Sequence, residues 1–140
     1  MSRILAIDYG QKRTGLAVSD PLRIIAGALD TVATHTLMDY LKQYLSKNDV
    51  STIVVGQPKQ TNGAMSESWR AIEPFVNRLR KEFPQTEVVL YDERFTSVMA
   101  HRTMLESGIG KMARRDKALV DKVSAAIILQ DYMASMNGLM

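Results

Sequence analysis

At 140 residues, with 46% hydrophobic and 24% charged residues, the chain has the balance of one folded domain and leaves no room for a second of ordinary size. It has no cysteine, which excludes disulfides and thiolate metal sites, and no apolar run approaches the roughly 18 residues needed to cross a bilayer. The formal net charge of +3 suits a polyanionic partner without demanding one, so the placement of charge matters more than its sum.

The chain opens on Met1-Ser2-Arg3 and a short apolar run that ends at Asp8, too short for a secretory leader; a single unprocessed cytoplasmic domain over residues 1–140 is expected. Ile4 to Ile7 reads as a strand buried on both faces. A polar turn from Gly10 to Thr14 leads into a second strand at Gly15 to Val18. Ser19-Asp20-Pro21 turns again, and Ile24 to Val32 makes a third. Connections this short favour antiparallel hairpins. Thr36 with Asp39 forms a weak capping box before a helix whose apolar face is Leu37, Leu41, Tyr44 and Leu45.

Ile53 to Gly56 is a fourth, buried strand, followed by a loop from Gln57 to about Met65. Trp69, Ile72, Val76, Leu79 and Phe83 then recur at helical spacing, with Pro74 placed to kink that helix or delay its start. Val88 to Tyr91 is the fifth strand and runs into Asp92-Glu93. Thr96 or Ser97 can cap a helix ending near Gly108, and a last helix spans about Lys117 to Met136. Three hairpin-linked strands followed by alternating helix and strand predict an α/β fold, a mixed sheet covered by helices. The ends of strands one, four and five then open on one edge, where ligands of α/β sheets bind.

That edge gathers carboxylates. Asp8 ends strand one, Asp92-Glu93 end strand five, and Asp121 shares a helical stripe with Ala125, Ile128 and Tyr132. With only strand four between them, Asp8 and Glu93 fall roughly 10 Å apart at Cα, close enough to converge on a metal pair about 4 Å across. Oxygen ligands without His or Cys select Mg²⁺ or Mn²⁺. Each acid also has a plainer reading. Asp8 can be a turn former, Asp92-Glu93 can complement a helix dipole, and Asp121 can pair with Lys117 or Lys122. Taken together on one edge they favour two-metal phosphodiester hydrolysis, which needs no base from His35 or His101.

Gly10 to Gly15 lacks the Lys-Ser/Thr of a nucleotide P-loop. The spacing Asp8-x-Gly10-x-x-x-x-Gly15 is shared with actin-like and sugar-kinase phosphate loops, but those folds need two such domains. The loop holding Lys59 and Asn62 reads by composition as a plain surface turn, and its position directly after a buried strand makes substrate contact the alternative. Lys111, Arg114, Arg115, Lys117 and Lys122 form a basic stretch beside Asp121, either a solvated face or the approach for a phosphate backbone. Trp69 fits the core stripe better than a base-stacking role.

In order along the chain stand ILAIDYGQKRTG from Ile4 to Gly15, Val54-Val55-Gly56-x-Pro58, Asp92-Glu93-Arg94-x-x-Ser97, and Asp121-Lys122-x-Ser124 through Leu129. This ordered set, spanning nearly the whole chain, resembles the YqgF family, named for pre-16S ribosomal RNA nucleases and Holliday junction resolvases. The resemblance implies a ribonuclease H-like fold with five strands in the order 3-2-1-4-5, the first three antiparallel, and helices on both faces. It implies Asp8, Glu93 and Asp121 as catalytic metal ligands for Mg²⁺ or Mn²⁺, with Asp92 the alternative to Glu93. Gly10, Lys12, Arg13, Lys59, Asn62, Arg94, Arg114, Arg115 and Lys122 form the expected substrate-binding set. The implied task is hydrolysis at the 5′ end of pre-16S rRNA, by a monomer or homodimer acting on structured RNA without a membrane. Resolution of branched DNA and RNA binding without catalysis are the competing readings. Two positions depart from the family pattern: Gln57 stands where Leu or Phe is usual, and Ala64 follows Asn62-Gly63 where Thr is common.

Overall fold

In the computed structural model, which describes residues 2–57, 69–92 and 117–136, five strands join in one sheet. They are β1 (Arg3–Asp8), β2 (Arg13–Ser19), β3 (Ala26–Ala33), β4 (Val50–Gln57) and β5 (Glu87–Asp92). Their order is β3-β2-β1-β4-β5. β1 pairs antiparallel with β2, and β2 with β3, while β1–β4 and β4–β5 are parallel. The expected order and directions hold. Among the described residues three α-helices accompany the sheet: α1 (Leu37–Lys47), α2 (Trp69–Glu82) and α3 (Lys117–Met136). The helix expected between Thr96 or Ser97 and Gly108 lies outside the described residues.

Strand alternation divides the core into two layers. On one face Leu5 and Ile7 of β1, Leu16 of β2, and Ile53 and Val55 of β4 pack against Leu37, Met38 and Leu41 of α1 and Ile72, Phe75, Val76 and Leu79 of α2. On the other face Ile4 and Ala6 of β1, Ala17 of β2 and Val54 of β4 meet Ala125, Ile127, Ile128, Leu129 and Met133 of α3. Both neighbours of every central β1 residue are covered, which is why its sequence is a continuous apolar run rather than an alternating one. Small residues on both sides of the second layer, Ala6 and Ala17 against Ser124 and Ala125, allow α3 to lie close to the sheet. No described helix is long and apolar enough to cross a membrane.

Three local expectations are revised. β3 begins at Ala26, because the Asp20 carboxylate accepts the backbone N–H groups of Ile24 at 2.7 Å and Ile25 at 2.8 Å and holds both in a turn, exposed. Thr36 does not cap α1 through its side chain. Its hydroxyl donates to the Ala33 carbonyl at 2.7 Å within a 3₁₀ turn, Thr34–Thr36, that leads into the helix. Pro74, which is exposed, does not delay α2, which already runs from Trp69, and the buried face of the helix includes Phe75, outside the expected stripe.

The turn between β2 and β3 is stiffly anchored. Arg23 sits at φ 59°, in the left-handed region that non-glycine residues enter at a cost. Its guanidinium donates to the Ser2 carbonyl, Ser2 Oγ and Ser51 Oγ, tying the turn to the starts of β1 and β4 and offsetting that cost. Asp20 is held below its ordinary 3.8 by the hydrogen bond from Ile25 and then that from Ile24, with partial desolvation opposing. A carboxyl lowered on folding stabilises the native state above its unfolded pKa and loses that contribution as pH falls through the folded value. Asp20→Asn, which keeps an acceptor but removes the charge, is therefore expected to melt below wild type at pH 7. The gap should close progressively below about pH 4 in thermal melts; a gap that stays constant with pH would remove the charge from the explanation.

Candidate metal and substrate site

Asp8 is the last residue of β1 and faces Gly15 of β2 in register. On its other side β1 follows β4 to the pair Ile7–Val55, so Asp8 stands beside the end of β4 at Gly56 and Gln57. β4 and β5 finish together at the pair Gln57–Asp92. The carboxyl ends of three parallel strands therefore form one edge, as expected. By alternation from Ile4 and Ala6, both in the α3 layer, Asp8 falls on the face of the sheet that α3 covers. Asp8 is partly exposed and has an interaction partner in the fold.

The turn after Asp8 is fixed by a residue that sequence reading overlooked. The Thr34 hydroxyl donates to the Gly10 carbonyl at 2.6 Å and lies 3.0 Å from the hydroxyl of buried Thr14. The Thr34 N–H donates to the Lys12 carbonyl at 3.0 Å. These bonds staple the turn to the end of β3. Gly10 has a steric role here: a Cβ would collide with the carbonyl oxygen of Arg13. Lys12 and Arg13, the two expected phosphate contacts of the turn, are both exposed. A lone threonine at the end of a strand carries no sequence signal for such a role.

β5 alternates in the same way. Val88 and Leu90 pack into the α1–α2 layer and Tyr91 into the α3 layer. The Tyr91 ring meets Tyr132 of α3 edge-on, with centroids 5.9 Å apart, and its hydroxyl donates to the Asp131 carbonyl at 3.4 Å. Burial, and secondarily the Asp131 carboxylate, raise the Tyr91 hydroxyl above its ordinary pKa of 10.0, so it stays a donor at neutral pH. The tyrosine pair thus ties the end of β5 to α3.

α3 carries Asp121 and Lys122 in its backbone. Asp121 precedes Ala125 by four residues and Ile128 by seven, the spacing of one helical face, and both of those residues are fully buried against the sheet. The side chains of Asp92, Asp121 and Lys122 lie outside what the structure describes, as do Lys59, Asn62, Glu93, Arg94, Arg114 and Arg115 altogether. Trp69 begins α2, its side chain likewise outside the description. Gln57, one of the two departures from the family pattern, is buried at the end of β4; among the described residues no buried side-chain polar atom lacks a partner. Ala64 lies outside the described residues.

The donor chemistry fits a hard cation. The described part of the edge offers the Asp8 carboxylate and, among the described residues, no group of three His, Cys, Asp or Glu side chains. The further ligands expected from the sequence, Glu93 and Asp121, are carboxylates as well. Such a set suits Mg²⁺ or Mn²⁺ and disfavours softer metals.

Residues 2–135 match the RuvX family, described as Holliday junction resolvase. A protein of Porphyromonas gingivalis is 60% identical over 133 residues, covering 95% of this chain and 96% of its own. One of Bacteroides thetaiotaomicron is 57% identical over 135 residues, covering 96% and 98%. Both bear the name "Putative pre-16S rRNA nuclease". Among solved structures, Thermus thermophilus RuvC in complex with a Holliday junction substrate superposes with a TM-score of 0.60 at 17% identity, over 99% of this chain and 97% of its own. At that identity the likeness concerns the fold, which is the ribonuclease H-like arrangement.

Proposed function

The chain belongs to the RuvX/YqgF family, and from that premise we propose that it is a divalent-metal-dependent nuclease of the cytoplasm that trims the 5′ end of pre-16S rRNA. The observation that carries this reading is Asp8. It is a carboxylate at the end of a strand whose four central residues are buried, on the shared strand edge, on the sheet face covered by the helix that bears Asp121. Relatives named for pre-16S rRNA nuclease activity at 60% and 57% identity point to the substrate.

Asp8, Glu93 and Asp121 would hold the metal. Of the adjacent acids Asp92 and Glu93, Glu93 is taken as the partner of Asp8, as the family resemblance implies. Bound divalent ions would supply an activated water and compensate the charge that develops on the leaving oxygen. The protein's own groups bind and orient the substrate strand. Lys12 and Arg13, on a turn locked by Thr34, offer cations next to Asp8 for flanking phosphates. Lys59, Asn62, Arg94, Arg114, Arg115 and Lys122 extend that contact along the strand.

The deciding test is cleavage of a 5′-extended 16S precursor by purified protein with Mn²⁺, Mg²⁺ or EDTA. Cutting within the 5′ extension that requires the metal supports the reading, and a folded protein that cuts no RNA under any of these conditions defeats it. The match to a family described as Holliday junction resolvase favours one second reading, resolution of branched DNA. That activity needs paired nicks from two active sites and hence a homodimer. Symmetric cuts in a four-way junction, with the precursor left intact, would select it.

A further inference from the structure

A cavity of about 330 Å³ opens on the α1–α2 side of the same strand edge. Its walls come from three elements that the fold brings together: Tyr9 and Gln11 after β1, His35 before α1, and Ala71, Phe75 and Arg78 along one side of α2. Tyr9 and Phe75 stack with ring centroids 4.7 Å apart, giving the cavity an aromatic wall. Gln11, His35 and Arg78 are exposed and supply polar hydrogen-bonding groups at its mouth. Among the described residues no carboxylate lines it, and Arg78 gives it a positive charge. Tyr9 follows Asp8 directly, so the cavity begins one residue from the proposed metal ligand, about 3.8 Å away along the backbone, on the opposite face of the sheet.

We propose that this cavity is a nucleotide subsite, taking one unpaired nucleotide of the substrate strand with its base on the Tyr9–Phe75 wall and its phosphate at Arg78. The inference deepens the nuclease reading and rests on it for the identity of the strand. The size suits one nucleotide and not a base pair, since it lies at the lower end of the roughly 300–1,000 Å³ typical of small-molecule sites. An aromatic wall accepts any base by its face, while a guanidinium meets a phosphate in two parallel hydrogen bonds. A strand whose phosphate is held at the metal edge would place a neighbouring unpaired residue within reach of this pocket. Single-stranded or bulged segments would then be engaged in preference to continuous duplex.

The test is binding, measured apart from cleavage. Nucleoside 5′-monophosphates are titrated into the full chain in EDTA and followed by ligand-detected NMR, with dissociation constants of about 0.1–1 mM expected. Arg78→Gln should weaken binding about tenfold by removing the charged hydrogen bonds. Ala71→Leu, which fills the cavity from its half-buried wall, should weaken it at least as much, and a thermal melt confirms that each variant is folded. Ribose 5-phosphate should bind far more weakly than the nucleotides. Comparing ribose with deoxyribose nucleotides tells whether the pocket is tuned to RNA or DNA, and either preference supports the subsite. Wild-type protein that binds no nucleotide, variants that bind as well as wild type, or ribose 5-phosphate that binds as tightly as the nucleotides would overturn it. Metal-dependent cleavage of the precursor is scored separately. Cleavage without nucleotide binding sinks the subsite alone, and nucleotide binding without cleavage sinks the nuclease reading alone.

Discussion

Asp8→Asn is expected to lose at least about a thousandfold in metal-dependent cleavage while melting within about 3 °C of wild type in the absence of metal. Asparagine has nearly the shape of aspartate, so the end of β1 and its pairing with Gly15 should persist. What disappears is the negative charge that draws a hard cation to the strand edge. Mn²⁺ should raise the melting temperature of wild type, because a ligand that binds only the folded state stabilises it by mass action. The variant should show little of that rise. Glu93→Gln and Asp121→Asn should behave alike. A double variant, Asp8→Asn with Asp121→Asn, should be scarcely less active than either single one, since groups that act as a unit fail together. Losses that multiply would mean that the two acids serve separate purposes. Full activity in Asp8→Asn would remove the site.

Ile128→Ala should cost about 3 kcal/mol of stability, equivalent to a fall of roughly 10 °C in melting temperature for a chain of this size. Ile128 is fully buried between α3 and the sheet, in the layer formed by Ile4, Ala6, Ala17 and Val54. Ala6 and Ala17, on the sheet side of that layer, are too short to swing in and fill the space. The cost should therefore fall near the middle of the range for truncating a buried branched side chain, or above it. Ile128 also lies two turns from Asp121 on one face of the helix, so a loosened α3 should weaken Mn²⁺ stabilisation as well. Urea unfolding gives the first number and metal-dependent melting the second. A loss under about 1 kcal/mol would show that the α3 layer is looser than its burial indicates.

Much of this architecture is written in short stretches of sequence. The continuous run Ile4 to Ile7 is that of a strand covered on both faces, and such covering is found above and below it. The last helix runs from Lys117 to Met136, the bounds expected from the sequence, and its apolar middle from Ala125 to Leu129, with Met133, packs on the sheet. Short connections between β1, β2 and β3, and longer helical ones afterwards, sufficed for strand directions. Asp8 was legible as a functional candidate because a carboxylate closes an otherwise apolar strand.

Other features were decided by individual hydrogen bonds and packing contacts that periodicity does not record, some of them between residues far apart in sequence. Ile24 and Ile25 look like strand by composition, yet the Asp20 carboxylate takes their N–H groups and turns them outward. Arg23 is stabilised at positive φ by Ser51, 28 residues away. Thr36 has the sequence of a cap, but the preceding residues close a 3₁₀ turn in which its hydroxyl serves Ala33, while Thr34 reaches back 24 residues to lock the turn at Gly10. Phe75 lies beside the expected helical stripe and is buried because the fold places Tyr9 against it, the same meeting that builds the aromatic wall of the cavity. Periodicity records which face of an element is apolar, since that depends on residues a turn or a pleat apart. Which groups meet across elements depends on how the sheet is ordered and how the helices pack on it, and that was settled by the tertiary structure.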